Sequence, residues 1–344
     1  MSTREMSQTK QHIPSATSLA LSRALGLFAL GVQYLLLIIL ALTMLVPFAW
    51  MVSTSLKTEE YVLRFDLIPQ PASLASYRNL FDIMPMGRVF LNSLFVTVTG
   101  TVGQVLFSAM AAYAFARMQW KGRGVVFSIY LATMMVPFQV VVIPQFVLVS
   151  KLGWVNSYQA LILPSLFSAF ATFLLRQAFL TIPRDLEEAA IMDGANHLTI
   201  FWRVMVPLSK PVLATLTVFS FMSMWNSYLW PLFVARQEKY MTLPVALATL
   251  QGNNQSLTQW NLVMAGAVIT LLPILIVYLF AQKWFVQGAV ISGIKGYGVF
   301  EMSRKLLVPG LVFVLLVGLV PAASSAQEVI TLRYMSFTGG GDRA

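Results

Sequence analysis

Residues 89–116 read VFLNSLFVTVTGTVGQVLFSAMAAYAFA, twenty-eight positions without one Asp, Glu, Lys, Arg or His. Crossing a bilayer as a helix takes about 20 mostly apolar residues, because the hydrocarbon layer is ~30 Å thick and each residue rises ~1.5 Å. A strand of a membrane barrel needs only ~9–11 alternating residues, so a run this long points to helix. Further charge-free runs cover 24–52, 124–150, 152–175, 211–235, 240–282 and 306–327. Within 240–282 the segment Gln251 to Trp260, QGNNQSLTQW, is too polar for lipid, which predicts a span from Asn261 to Gln282. The expected fold class is all-α: a polytopic membrane helix bundle of six spans, with a seventh apolar segment near the C-terminus.

Composition agrees. Of 344 residues, 58% are apolar and 10% charged, whereas soluble domains carry about 25% charged residues. That excludes a cytosolic enzyme and a disordered tail. A net charge of +10 does not make a nucleic-acid binder, because the 23 basic residues stand in short groups between uncharged runs rather than on one face. Membrane lipid is the expected surround. With no cysteine there is no disulfide framework, thiolate metal site or cysteine nucleophile.

Orientation follows from the basic loops, which stay on the cytoplasmic side. With the N-terminus inside, the inside segments 1–23, 117–123, 176–210 and 283–305 hold 14 Lys and Arg, against nine outside. The short loop Arg117-Met-Gln-Trp-Lys-Gly-Arg123 is the clearest marker. Pro47, Pro137, Pro144, Pro164 and Pro273 fall inside spans. Proline removes a helical hydrogen bond, so each is either a kink lining a cavity or the ordinary proline content of membrane helices.

The loop between the fourth and fifth spans runs from Thr181 to Pro211. Pro183 suits a first helical turn, and Asp185, Glu187 and Glu188 complement the positive end of a helix dipole. Gly194 then ends that helix in a left-handed conformation. A second short helix runs to Val206, and Pro207 and Pro211 turn the chain into the fifth span. This predicts a helix-turn-helix across the end of the bundle, with Leu186, Ala189, Ala190, Ile191, Met192 and Phe201 near water. Such a face either docks another protein or packs on its own bundle.

The residues Glu188-Ala189-Ala190, Gly194 and Val204-Met205-Val206-Pro207 resemble the signature loop of ABC importer permeases, with Val where the common form has Ile and Leu. Asp193-Gly194-Ala195 resembles the carbohydrate-uptake branch. Ser55-Leu56-Lys57-Thr58, Tyr77-Arg78-Asn79-Leu80-Phe81, Phe90-Leu91-Asn92-Ser93-Leu94 and Tyr113-Ala114-Phe115-Ala116-Arg117 are similar to the maltose-type second permease. So are Met135-Val136-Pro137, Ile143-Pro144 and Trp225-Asn226-Ser227-Tyr228-Leu229-Trp230-Pro231. The resemblance covers residues 25–296 and closes on a tail like Ser292-Gly293-Ile294-Lys295-Gly296.

It implies a permease subunit in the bacterial inner membrane, importing a sugar or polyol. The implied partners are a sister permease, two ATPase subunits that use ATP and Mg, and an extracytoplasmic solute-binding protein. The loop residues implied to couple to the ATPase are Glu187, Glu188, Ala189, Ala190, Asp193, Gly194, Ala195, Phe201 and Pro207. No cofactor or metal is expected on this chain, and the chain is not expected to be an enzyme.

The residues themselves support a division of labour. No G-x-x-x-x-G-K-[ST] loop occurs, so ATP would be hydrolysed by another chain. Proton-coupled carriers place ionisable groups in their spans, and these runs have none. A sodium-coupled carrier or a channel without an ATPase remains the alternative. His12 and His197 lie in the tail and the loop, which leaves no histidine cluster for catalysis. Tyr113, Gln139, Gln145, Trp225, Asn226, Tyr228 and Trp230 are candidates for a sugar pathway, since amides bond hydroxyls and rings cover sugar faces. Their competing roles are bonds between helices and interfacial belts.

The expected organisation is a tail over 1–23, a first span and outside loop over 24–87, a permease core over 88–283 and a cytoplasmic tail over 284–296. An atypical extension follows over 297–344. Met302-Ser-Arg-Lys, an apolar core over 306–321 and Pro321-Ala-Ala-Ser-Ser-Ala326 resemble a secretory signal peptide. Val329 to Ser336 alternates like the first strand of a secreted solute-binding domain, as if the reading frame ran on into a neighbouring gene. A seventh span with an outside tail is the other reading.

Overall fold

A computed structural model of the chain describes residues 16–252 and 259–294, with side chains over 27–28, 30–250 and 259–281. The first fifteen residues, Lys295-Gly296 and the extension with its seventh apolar segment lie outside the described residues. The chain divides into two compact units, Met1–Gly288 and Ala289–Ala344. The bundle belongs to the first unit, and of the second only the helical residues 289–294 are described.

Helix α1 (Ala16–Ser55) is followed by α2 (Ala75–Ile83), α3 (Met86–Ala116), α4 (Arg123–Ala132) and α5 (Phe138–Lys151). Then come α6 (Tyr158–Ile162), α7 (Ala169–Leu180), α8 (Asp185–Met192) and α9 (His197–Ile200). A π-helical turn over Phe201–Met205 leads into α10 (Val206–Leu208), α11 (Lys210–Trp225), α12 (Leu229–Val234), α13 (Leu243–Gly252) and α14 (Trp260–Ile294). No strand occurs among the described residues. Three straight stretches, Leu30–Ser55, Met86–Ala116 and Trp260–Ala281, are long and apolar enough to cross a membrane. Three bent pairs bring the number to six.

The bends correct the expected spans. The 124–150 run turns by 103° between Met135 and Phe138. Val136 is extended, as the ring of Pro137 demands of the residue before it. The 152–175 run starts later and ends later: 152–157 is a turn, and the span runs from Tyr158 to Leu180 with a 41° bend. Counting charge-free residues cut it short at Arg176, which the bundle accommodates. Its Nε donates to the Phe115 carbonyl at 3.2 Å and its guanidinium lies 4.3 Å from the Phe127 ring. The 211–235 run breaks after Trp225, where the Asn226 amide donates back to the Met222 carbonyl at 2.9 Å and closes α11. Pro47, Pro144 and Pro273 sit inside unbroken helices.

Helix α3 is the axis of the bundle and packs chiefly on α7 and α11. Ser93, Thr97, Gly100, Ser108, Ala112 and Ala116 are buried along it, and small residues let helices approach closely in lipid. At Gly103 a methyl group would meet Leu166 Cδ2 at 2.4 Å. One core joins Ala109, Ala112 and Tyr113 to Leu175, Phe179, Ile200, Phe201 and Leu216. A second core surrounds Trp225, and a third surrounds Trp230 and Leu161. By contrast, α1 is exposed on all sides from Leu30 to Phe48.

The turn before α6 fastens the chain after α12. Asn156 has φ +59°, and its Oδ1 accepts from the backbone N–H groups of Arg236 (2.8 Å) and Gln237 (2.9 Å). Asn156→Ala is expected to cost about 1–3 kcal/mol, mostly from a strained backbone and partly from two exposed hydrogen bonds handed over to water. Asn156→Gly should recover only the backbone part. Thermal unfolding in detergent checks both, and an unchanged midpoint for the alanine variant contradicts the assignment.

Candidate functional site

Two polar features stand apart on the bundle. One is the α8–α11 loop and the other a cleft between α3, α5, α11 and α12.

Helix α8 begins with Arg184 as its N-cap, so Pro183 stands before the cap rather than in the first turn. Asp185, Glu187 and Glu188 occupy that turn, where the helix dipole favours negative charge. Two bonds close its other end: Gly194 N–H to the Ile191 carbonyl and Ala195 N–H to the Ala190 carbonyl, both 2.9 Å. This double closure requires a left-handed residue, and Gly194 has φ +80°. A Cβ there would meet no atom within 4 Å, so the position needs glycine for its conformation and not for space.

Asn196 caps α9 by accepting from Thr199 N–H at 2.8 Å. The π turn over Phe201–Met205 precedes Pro207, whose ring would otherwise crowd the carbonyl four residues back. Pro207 does not end the helix. The chain turns by 82° at Ser209 instead.

Exposure splits the expected docking residues. Glu188, Ala189, Asp193 and Gly194 are exposed, as are Leu186, Ile191 and Met192, the last at 87%. Glu187, Ala190 and Ala195 are half-buried. Phe201 is not near water: it is 3% exposed and its ring centroid lies 5.7 Å from that of Tyr113. Its apolar ring belongs to the core that α9 and the π turn close over.

Tyr113 belongs to this end of the bundle and not to the cleft. Its hydroxyl donates to Glu187 Oε1 at 3.3 Å and lies 3.2 Å from His197 Nδ1. One turn on, Arg117 Nη1 pairs with Glu187 Oε2 at 3.4 Å. Arg117 Nη2 donates to the Phe179 and Ile182 carbonyls at the end of α7.

The cleft has a volume of about 560 Å³ and is lined by Gln145, Trp225, Asn226, Tyr228 and Trp230, among others. The break after α11 is what turns Asn226, Ser227 and Tyr228 into it. Gln139 is exposed and does not line it. Ser93, Thr97, Gln104 and Ser165 join the lining, which sequence reasoning missed. Their only signal was polarity at helical spacing within an apolar run. A second opening, also about 560 Å³, shares Asn226 and Tyr228 and lies between α1, α13 and α14.

The two tryptophans spend their N–H groups inside the protein: Trp225 Nε1 on the Thr270 carbonyl at 3.0 Å, and Trp230 Nε1 on the Ala160 carbonyl at 2.8 Å. That leaves Gln145, Tyr228 and the side-chain oxygen of Asn226, whose nitrogen is spent on Met222, as polar groups able to meet a solute. Among the described residues, no Asp, Glu, Lys, Arg or His lines either opening. Among the described residues, no group of three His, Asp or Glu could hold a metal.

An all-helical apolar bundle with an uncharged polar cleft and a capped surface loop defines a membrane transport permease. The family of binding-protein-dependent transport system inner membrane components matches residues 104–291. The chain belongs to that family, as a permease subunit of an ABC importer. It is 36% identical over 270 residues to the arabinooligosaccharides transport system permease protein AraQ of Bacillus subtilis, covering 76% of this chain and 94% of the relative. The sn-glycerol-3-phosphate transport system permease protein UgpE of Pectobacterium atrosepticum is 34% identical over 278 residues, covering 78% and 98%. A crystal structure of a bacterial ABC transporter involved in import of the acidic polysaccharide alginate superposes with a TM-score of 0.68 at 31% identity, covering 76% of this chain and 98% of that one.

Proposed function

We propose that this chain forms half of an ATP-driven import pathway for an uncharged carbohydrate, and that the α8 loop couples it to a separate ATPase. The observation that carries the reading is the α8 loop itself. One carboxylate of α8 is tied to the bundle, while Leu186, Glu188, Ile191 and Met192 face outward, exposed. Exposed apolar groups on a helix held this firmly suit a protein partner.

The assembly would contain a sister permease, two ATPase subunits binding ATP and Mg, and an extracytoplasmic solute-binding protein. The loop would lie on the cytoplasmic side with the N-terminus, where basic residues concentrate. The relatives carry cargoes of different charge by name, and the uncharged lining here supports an uncharged one. An anion brought into an uncharged cleft within a membrane loses hydration that nothing repays. Amides and a phenol suit sugar hydroxyls, and rings suit sugar faces.

Uptake by the assembled importer in proteoliposomes tests this. Gln145→Ala and Tyr228→Phe each remove a group able to bond the solute, and each is expected to slow uptake about 5–10-fold. ATPase association should be unchanged. Wild-type uptake in both variants contradicts the cleft as the pathway.

A further inference from the structure

Glu187 is held by both oxygens. Arg117 takes Oε2, and Tyr113 takes Oε1 while also meeting His197. Tyr113 and Arg117 are four residues apart, so they share one face of the last turn of α3. Two loop helices, α8 through Glu187 and α9 through His197, are therefore pinned to one turn of one helix. Arg117 also donates to the Phe179 carbonyl in the last turn of α7 and to the Ile182 carbonyl just beyond it, which places the elbow between α7 and α8 on the same guanidinium. It is the only ion pair among the described residues, with the two side chains 4% and 14% exposed.

The other part of α3 lines the cleft through Ser93, Thr97 and Gln104. Between Thr97 and Tyr113 the helix is unbroken, a length of about 24 Å at 1.5 Å per residue. Proline is absent from α3, and its small residues pack closely on α7 and α11. Among the described residues, this span alone touches both the loop pin and the cleft wall without a bend between them.

We propose that Glu187 and Arg117 are positioning residues that make α3 the rod through which movement of α8 reaches the cleft. The idea rests on the proposed importer function and assigns the transmission path within it. Glu188 and the exposed face of α8 meet the partner. Glu187, facing the other way, passes the displacement to α3. In this arrangement docking and transmission belong to adjacent carboxylates with separate tasks.

The test uses the complete importer with its loaded solute-binding protein, and reads uptake per ATP hydrolysed. Glu187→Ala is expected to keep the ATPase bound and hydrolysing while uptake per ATP falls about tenfold, the scale of a lost charge-assisted bond. Glu187→Gln keeps the length and the acceptor for Tyr113 but loses the charge that pairs with Arg117, so it should recover only part of that ratio. Tyr113→Phe removes one oxygen from a packed ring and guards against misfolding of the alanine variant; a fall of about threefold is expected.

Wild-type uptake per ATP in both Glu187→Ala and Tyr113→Phe overturns the proposal. So does loss of ATPase binding in parallel with uptake, which would assign Glu187 to docking. Failure of the wild-type assembly to hydrolyse ATP at all would instead strike at the importer function, and is distinguishable from either result.

Discussion

Trp225→Ala is expected to destabilise the bundle by about 3–5 kcal/mol, enough to remove most folded protein from the membrane extract. Trp225 is 1% exposed, stacks on Phe221 with ring centroids 5.9 Å apart, and meets Phe90 edge-on at 5.8 Å. Its loss opens a large void where α3, α11 and α14 meet, in a core that is close-packed around it. Trp225→Phe keeps the stack and leaves the Thr270 carbonyl without its donor, at a cost of about 1–3 kcal/mol. Denaturation in detergent separates the two. A fully stable Trp225→Ala protein that has lost only uptake would make this residue a sugar contact instead of a core post.

Gly194→Val should abolish coupling while leaving the bundle folded. An ordinary residue at φ +80° costs about 1–2 kcal/mol, and a branched one more. The cost falls on the two bonds that close α8, so the helix frays where it faces a partner. Gly194→Asn tolerates the left-handed conformation and should stay close to wild type. Because the space around Gly194 is open, a small and a large side chain should differ less than Asn and Val do. Pull-down of the ATPase with each variant measures this; equal binding by the valine and wild-type proteins contradicts the account.

Much of the bundle was legible because lipid enforces a simple rule. A helix must stay apolar for about 20 residues, and residues 89–116 and 261–282 each fall within one helix, α3 and α14, the latter continuing to Ile294. The signal failed where protein replaced lipid as the surroundings. Arg176 looked like a span end, yet a carbonyl and an aromatic ring accept its charge inside α7. Lys57 does stand in the loop after α1, as its charge indicates, but that loop buries it: it is 2% exposed, donates to the Arg64 carbonyl at 2.6 Å and lies 4.4 Å from the Trp50 ring.

The loop was readable through its special residues. Gly194 after an alanine-rich stretch ends α8, and the acidic first turn starts it. What sequence could not supply was the direction of each side chain. Glu187 and Glu188 are neighbours with the same chemistry, and only the packing of α8 on α3 turns one inward. Tyr113 was grouped with the cleft because aromatic residues suit sugars. Its place beside Glu187 depends on contacts 74 residues apart in the chain.

In the proposed importer, a separate ATPase docked on the α8 loop drives solute movement through this chain. The direct measurement is solute uptake into proteoliposomes holding this chain, its sister permease, the ATPase and the loaded solute-binding protein. The account predicts uptake that requires internal or external ATP on the loop side and stops when the ATPase cannot hydrolyse it. Uptake at full rate without nucleotide, driven by an ion gradient alone, would contradict it.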